Sequence, residues 1–193
     1  GMDMIAEQKG IEDKITFADG MTAASIPDGQ GDMLNVKWIG FYDAPEGIVN
    51  VTTADEKSGG TFNPNNGGYY QHVSNGSTIV FKNFDITKID RNGEIRIGSV
   101  SPWAYKVYAN FHIGSSAGPV LATVVCEPTG SWQLPPMATK FETITPDTNP
   151  LATGYSSKYN QDGTLRESNG LNQSVYDAHS GLNGGKHDIY ITF

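Results

Sequence analysis

Short runs of alternating apolar and polar residues, separated by turn-forming residues, make up most of the chain. The clearest run is Tyr105–Ile113, in which every second residue is apolar and most of the residues between are polar. A period of two residues is typical of a strand with one face in the core and the other in solvent. Pro119–Cys126 is apolar on both faces, which predicts a strand covered on both sides.

Similar signals recur along the rest of the chain. Further strands are predicted at Lys14–Ala18, Leu34–Tyr42, Gly47–Thr53, Ser77–Phe84, Gly93–Val100, Thr139–Ile144 and Lys186–Phe193. The last of these places Ile189, Ile191 and Phe193 on one face, whereas Ser58–Gly68 has the composition of a loop. No stretch shows a convincing helical period. We therefore predict an all-β fold, an antiparallel β-sandwich of the jelly-roll type with long loops.

The same pattern predicts how the chain is divided. Residues 1–14 are predicted to be a flexible N-terminal segment, and residues 15–193 a single β-sandwich domain. Within that domain, Asp147–Gly185 is predicted to be a long loop insertion, and a connection of this length is usually either functional or mobile. Gly1 ahead of Met2 is typical of a residue left by cloning, so we expect localisation to be unreadable from the N-terminus.

Charge and composition exclude several classes of function. The formal net charge is −8, and the 13 Lys and Arg residues form no cluster. Binding to phosphates requires a basic surface, so nucleic acid and anionic membrane surfaces are not expected partners. No membrane-spanning segment is visible, and the single cysteine, Cys126, lies in a predicted strand, where an inert buried thiol is expected.

One tryptophan stands out by its position. Trp132 follows the strand Pro119–Cys126 in the turn Glu127-Pro-Thr-Gly-Ser-Trp132. A tryptophan held at a loop tip by a rigid sheet exposes apolar area, which is typical of a binding surface. Trp132 is therefore predicted to be a ligand platform, with packing under the long connection as the alternative. Trp38 is predicted to be a core residue, and Trp103 a core anchor at the start of a strand.

Three segments of the chain resemble family 6 carbohydrate-binding modules. They are His72–Ile86 with its Asn-Gly-Ser-Thr turn, Gly118–Trp132 with its Thr-Gly-Ser-Trp turn, and Gly185–Phe193 with its Gly-Lys-His-Asp-Ile-Tyr strand. The resemblance covers roughly half of the chain. It implies a β-jelly roll that binds polysaccharides without cleaving them, in a loop-end cleft where two aromatic side chains hold a sugar ring.

The resemblance also implies which residues line that cleft. Trp132 matches one aromatic wall, and the position of the second, usually Tyr, is His72 in this chain. Tyr69 and Tyr70 lie just before His72 in the sequence and are candidates to replace the missing tyrosine. Polar or aromatic contributions are expected from the long connection, with Tyr155 and Tyr159 as candidates to roof the cleft.

A structural calcium ion in that family uses acids near the first strand and the C-terminus. Asp19 loosely matches the first of these positions, so a structural calcium is left open, and no other cofactor is expected.

Two other classes of function remain open. A glycan hydrolase needs two carboxylates about 5–9 Å apart, and no spacing here singles out such a pair. The four histidines show no close metal-ligand spacing. A structural or protein-binding spacer of a larger surface protein is the other alternative.

We expect a non-enzymatic, secreted or cell-surface bacterial module used in glycan utilisation. Its expected partner is a polysaccharide or oligosaccharide. A glycoside hydrolase, in the same or a partner chain, is a further candidate partner.

Overall fold

The computed structural model describes residues 32–42, 44–89, 95–126, 132, 155–156 and 171–193, and within them two antiparallel sheets face each other across one apolar core. The strands are β1 Leu34–Gly40, β2 Ile48–Asn50, β3 Glu56–Ser58, β4 Thr61–Asn63, β5 Tyr69–Val73, β6 Thr78–Asp85, β7 Arg96–Val100, β8 Val107–Ile113, β9 Val120–Cys126, β10 Tyr155–Ser156 and β11 Lys186–Thr192. The first sheet has the order β10-β7-β1-β5-β4, with β2 paired to β1, and the second has the order β3-β6-β11-β8-β9. This arrangement confirms the predicted antiparallel β-sandwich.

The core lies where the alternating pattern placed it. In β8, Val107, Ala109, Phe111 and Ile113 are buried, while the residues between them face outward. Strand β11 pairs with both β6 and β8, so its inward residues lie at the centre of the second sheet. Phe41, which follows β1 in the first sheet, meets Phe111 of the second sheet edge-on, with ring centroids 5.9 Å apart. Contacts of this kind join the two sheets through large apolar side chains.

Trp38 is fully buried, as predicted, but it lies outside the central core cluster. Val36 is paired with Ser99 and Trp38 with Gly98, so Lys37 is an extra residue on β1 that forms a bulge. The bulge turns the indole of Trp38 to the outer face of the first sheet. Trp38 therefore packs against Gly98, whose lack of a side chain leaves room for the ring.

Two stretches that were predicted to be loops contain regular secondary structure. The part of Asp147–Gly185 that the structure describes contains a short helix, α1 (Gln173–His179), whose N-terminus is capped by the side chain of Asn172. Asn172 donates its backbone N–H to the carbonyl of Leu121, which attaches this segment to β9. The predicted loop Ser58–Gly68 contains β4 because its three residues pair with β5, although glycines flank them.

Other predictions fall where the structure gives no description. The strands predicted at Lys14–Ala18 and Thr139–Ile144 lie outside the described residues. Of the helices in the described ranges, none has the length and apolar character needed to span a membrane.

Candidate functional site

One end of the first sheet brings together segments that are distant in sequence. Strand β1 lies between β5 and β7 and is antiparallel to both, with Leu34 beside Val73 and Asn35 beside Val100. The C-terminal ends of β5 and β7 therefore flank the start of β1. In the second sheet Cys126 pairs with Val107, so the segment after β9 begins beside the segment that leads into β8.

Trp132 lies at this end and is 38% exposed. Its ring meets that of Trp103 at a centroid distance of 5.9 Å and an interplanar angle of 89°. In an edge-to-face pair the edge of one ring contacts one face of the other, which is a favourable arrangement of the two quadrupoles. At least one face of the Trp132 indole is therefore not covered by Trp103.

Trp103 is held by two hydrogen bonds in the turn that follows β7. Its indole Nε1–H donates to the backbone carbonyl of Asp32 at 2.6 Å, and its backbone N–H donates to Ser101 Oγ at 3.3 Å. The ring is half-buried and is not part of the central core cluster. Trp103 was predicted to be a core anchor, and the structure instead places it beside Trp132, where it supports the exposed ring.

Asp32 connects Trp103 to His72. The Asp32 Oδ2 atom lies 2.5 Å from His72 Nδ1, and the two side chains are 43% and 54% exposed. A carboxylate only accepts, so Nδ1 carries the proton of this hydrogen bond. Asp32 is positioned by the next residue, because Met33 donates its backbone N–H to the carbonyl of Val73 at 2.7 Å. We refer to Asp32, His72, Trp103 and Trp132 as the Trp132 site.

A bulge in β5 determines which of its side chains reach the surface. Tyr70 pairs with Val36 and Val73 with Leu34, so three steps on β5 oppose two steps on β1. His72 has a left-handed φ of 60°, as expected for a residue in a β-bulge. Tyr70 and Val73 both face the core as a result, and His72 faces solvent.

Tyr70 therefore cannot form the second wall of the predicted cleft. Its side chain is only 2% exposed, and burial raises the pKa of its hydroxyl above the ordinary value. A ring enclosed in the core cannot stack on a ligand in the loops. Of the two tyrosines considered for this wall, the structure places Tyr69 at the surface, where it is half-buried and pairs with Asn63 of β4.

The two tyrosines of the long connection contribute no described side chain to the site. Tyr155 forms part of β10, where its backbone pairs with Ile97, and Tyr159 lies outside the described residues. Asp32 and Trp103 are functional candidates that the sequence patterns did not identify. They could have been found from the antiparallel pairing of β5 and β7 with β1, which brings their segments together. That pairing can be used only after the strand order has been assigned.

Within the described residues, no group of three or more His, Cys, Asp or Glu side chains is arranged to hold a metal ion. The rings of His179 and His187 lie 5.6 Å apart, but each directs a ring nitrogen to a backbone carbonyl. The bond from His187 to the carbonyl of His179 attaches the end of α1 to β11, whereas the bond from His179 to Val175 lies within α1. Asp19, the loosely matched calcium position, lies outside the described residues.

Replacing Trp103 with phenylalanine tests the hydrogen bond that anchors its indole to Asp32. Trp103→Phe keeps an aromatic ring but removes the Nε1–H that donates to Asp32. We expect a loss of about 1 kcal/mol in the free energy of unfolding, the usual net contribution of one hydrogen bond. Urea denaturation of both proteins measures this difference. An unchanged unfolding midpoint would contradict the anchoring role of the indole N–H.

The comparisons with known proteins give one structural match. Neither the models of known protein families nor the curated proteins match this sequence. Among solved structures, the chain is similar to a family 6 carbohydrate-binding module from Clostridium cellulolyticum, which was crystallised in complex with xylose. The identity is 19% and the TM-score is 0.41, and the match covers 82% of this chain and 83% of that chain.

Proposed function

We propose that this protein is a non-catalytic carbohydrate-binding domain that holds a polysaccharide or oligosaccharide at the Trp132 site. The observation that carries the proposal is the exposed indole of Trp132, supported edge-to-face by Trp103, which is itself hydrogen-bonded to Asp32, the partner of His72. An aromatic platform beside polar groups is the combination that a sugar ring requires, because a pyranose has a C–H-rich face and a rim of hydroxyls.

Each part of the site has a distinct role in this proposal. The uncovered face of Trp132 covers the apolar face of one sugar ring. Asp32 and His72 exchange hydrogen bonds with its hydroxyls, so the second side of the site is polar rather than a second aromatic wall. Tyr69 lies on the neighbouring surface of β5, where it can contact a sugar further along the chain.

The expected affinity is modest. Such a site buries little area, and the glycan loses freedom when it binds, so dissociation constants in the high micromolar range are expected, about −5 to −6 kcal/mol. Weak binding of this kind is sufficient for a domain that keeps an attached or associated glycoside hydrolase near a polymeric substrate, because tethering raises the local concentration. We propose that this takes place outside the cell or at its surface, where such polymers occur.

Affinity electrophoresis tests the proposal directly. The protein is run through native gels that contain soluble xylan, β-glucan, mannan or galactan, with a non-binding protein of similar size as the mobility reference. We expect one class of glycan to retard it. If none of the four classes retards the protein at polymer concentrations above those that the expected affinity requires, the proposal is wrong and a structural or protein-binding role takes its place.

A further inference from the structure

The polar side of the Trp132 site is rich in hydrogen-bond acceptors. His72 Nδ1 donates to Asp32 Oδ2, and in the described parts of the chain no second donor reaches this carboxylate. An ionised carboxylate has about four lone-pair positions, so the described residues leave most of its accepting capacity unused. In the neutral imidazole, a proton on Nδ1 leaves Nε2 as a further acceptor. The site is therefore matched to ligand groups that donate.

Sugar hydroxyls are donors of this kind. Two adjacent hydroxyls of a pyranose can donate to the two oxygens of one carboxylate, and hydrogen bonds to an ionised acceptor are shorter and stronger than neutral ones. A uronic acid differs because it carries a carboxylate in place of the exocyclic CH₂OH group. It replaces a donor with an anionic acceptor, and like charges held close together oppose binding.

We infer that the Trp132 site selects neutral sugars over uronic acids, and that the Asp32 carboxylate, held in place by His72, makes this distinction. The inference rests on the proposed function, because it names the ligand class of the same site. Trp132 does not discriminate between the two classes, since both present an apolar ring face. Discrimination therefore falls to the Asp32 carboxylate, which is linked to the platform through Trp103.

One neighbouring charge predicts the opposite preference. Lys106 is exposed and follows Trp103 by three residues, immediately before β8. If Lys106 rather than Asp32 governed the ligand, uronic acids would bind more tightly than neutral sugars. Whether neutral sugars or uronic acids bind more tightly therefore shows which of the two residues, Asp32 or Lys106, governs the ligand. We assign it to Asp32 because Asp32 contacts both Trp103 and His72.

Calorimetric titration with matched oligosaccharides tests the inference. The probes are galactotetraose against tetragalacturonate, a β-gluco-oligosaccharide against its C6-oxidised form, and xylotetraose against its glucuronate-substituted form. For the backbone that binds, we expect the wild type to bind the neutral member at least about tenfold more tightly, the effect of one charge-assisted contact. Asp32→Asn keeps the size of the side chain and removes its charge. It is expected to weaken neutral binding about tenfold and to bring the two affinities close together.

Glu46→Gln is the matched control. Glu46 is exposed in the turn that follows β1, at the opposite end of that strand from Asp32, so the variant makes the same change in net charge away from the site. It should keep the wild-type preference. Equal or tighter binding of the uronate by the wild type would overturn the inference, as would an unchanged affinity ratio in Asp32→Asn. Both results leave the proposed function standing, whereas the function itself is removed only if none of the four glycan classes retards the protein in affinity electrophoresis.

Discussion

Trp132→Ala is expected to weaken glycan binding by about 30-fold or more and to leave the fold intact. Removal of a central aromatic contact from a binding site commonly costs about 2 kcal/mol or more, which corresponds to a factor of about 30 in affinity. Because the expected wild-type dissociation constant is already in the high micromolar range, that of the variant would lie above the range that most assays measure. Because the side chain is 38% exposed, we expect the free energy of unfolding to change by less than about 1 kcal/mol.

Tyr108→Ala provides the control for this experiment. Tyr108 is 50% exposed on the outer face of β8, and among the described residues its ring makes no contact with the rings of Trp103 and Trp132. The same loss of an exposed ring should leave retardation in glycan-containing gels unchanged. If Trp132→Ala migrates like the wild type in the gel that retards it, the platform is elsewhere. Equal losses in the two variants would indicate non-specific contact with aromatic surface.

Gly98→Ala is expected to have the largest effect on stability. A Cβ atom at this position would lie 2.2 Å from Nε1 and 2.3 Å from Cε2 of Trp38. The indole is rigid and fully buried, so it cannot move aside without displacing its neighbours in the first sheet. Overpacking of this severity costs about 3 kcal/mol or more in the free energy of unfolding. Equilibrium denaturation in urea, followed by tryptophan fluorescence, measures the loss.

Gly181→Ala makes the same chemical change at a position that has room for it. A Cβ atom there meets no other atom within 4 Å, and the residue lies in the turn after α1. We expect a change of no more than about 0.5 kcal/mol. The contrast isolates the steric cost of the added methyl group from any general effect of losing a glycine. Similar unfolding midpoints for the two variants would show that Trp38 does not occupy the position described.

The parts of the fold that were predictable are those in which burial follows a simple period. The alternation of β8 and the apolar face of β11 are visible in the sequence because each strand packs one face against a core. The helix α1 was not predictable, because only Tyr176 of its seven residues is buried and its surroundings are rich in Ser, Asn and Gly. Its stability depends on attachment to β9, which is a tertiary contact.

The candidate site likewise contains residues that could be predicted from the sequence and residues that could not. Trp132 could be proposed because turn chemistry marks it locally, and His72 because the resemblance to a known family implied its position. The role of Tyr70 could not be assigned, since the bulge that turns it inward is visible only in the register between β1 and β5. Asp32 and Trp103 meet across 71 residues of sequence. Neither has a local pattern that points to the other.

The left-handed backbone at position 72 limits which side chains can serve the site. Among non-glycine residues, His, Asn and Asp adopt this conformation more readily than others, whereas for most residues it costs about 1–2 kcal/mol. A tyrosine at this position would incur that cost. If the bulge were lost instead, the change in register would turn Tyr70 or Val73 out of the core. The backbone conformation therefore restricts which side chains can occupy position 72. Changes of glycan preference should occur more readily in the segments carrying Trp103 and Trp132 than at this residue.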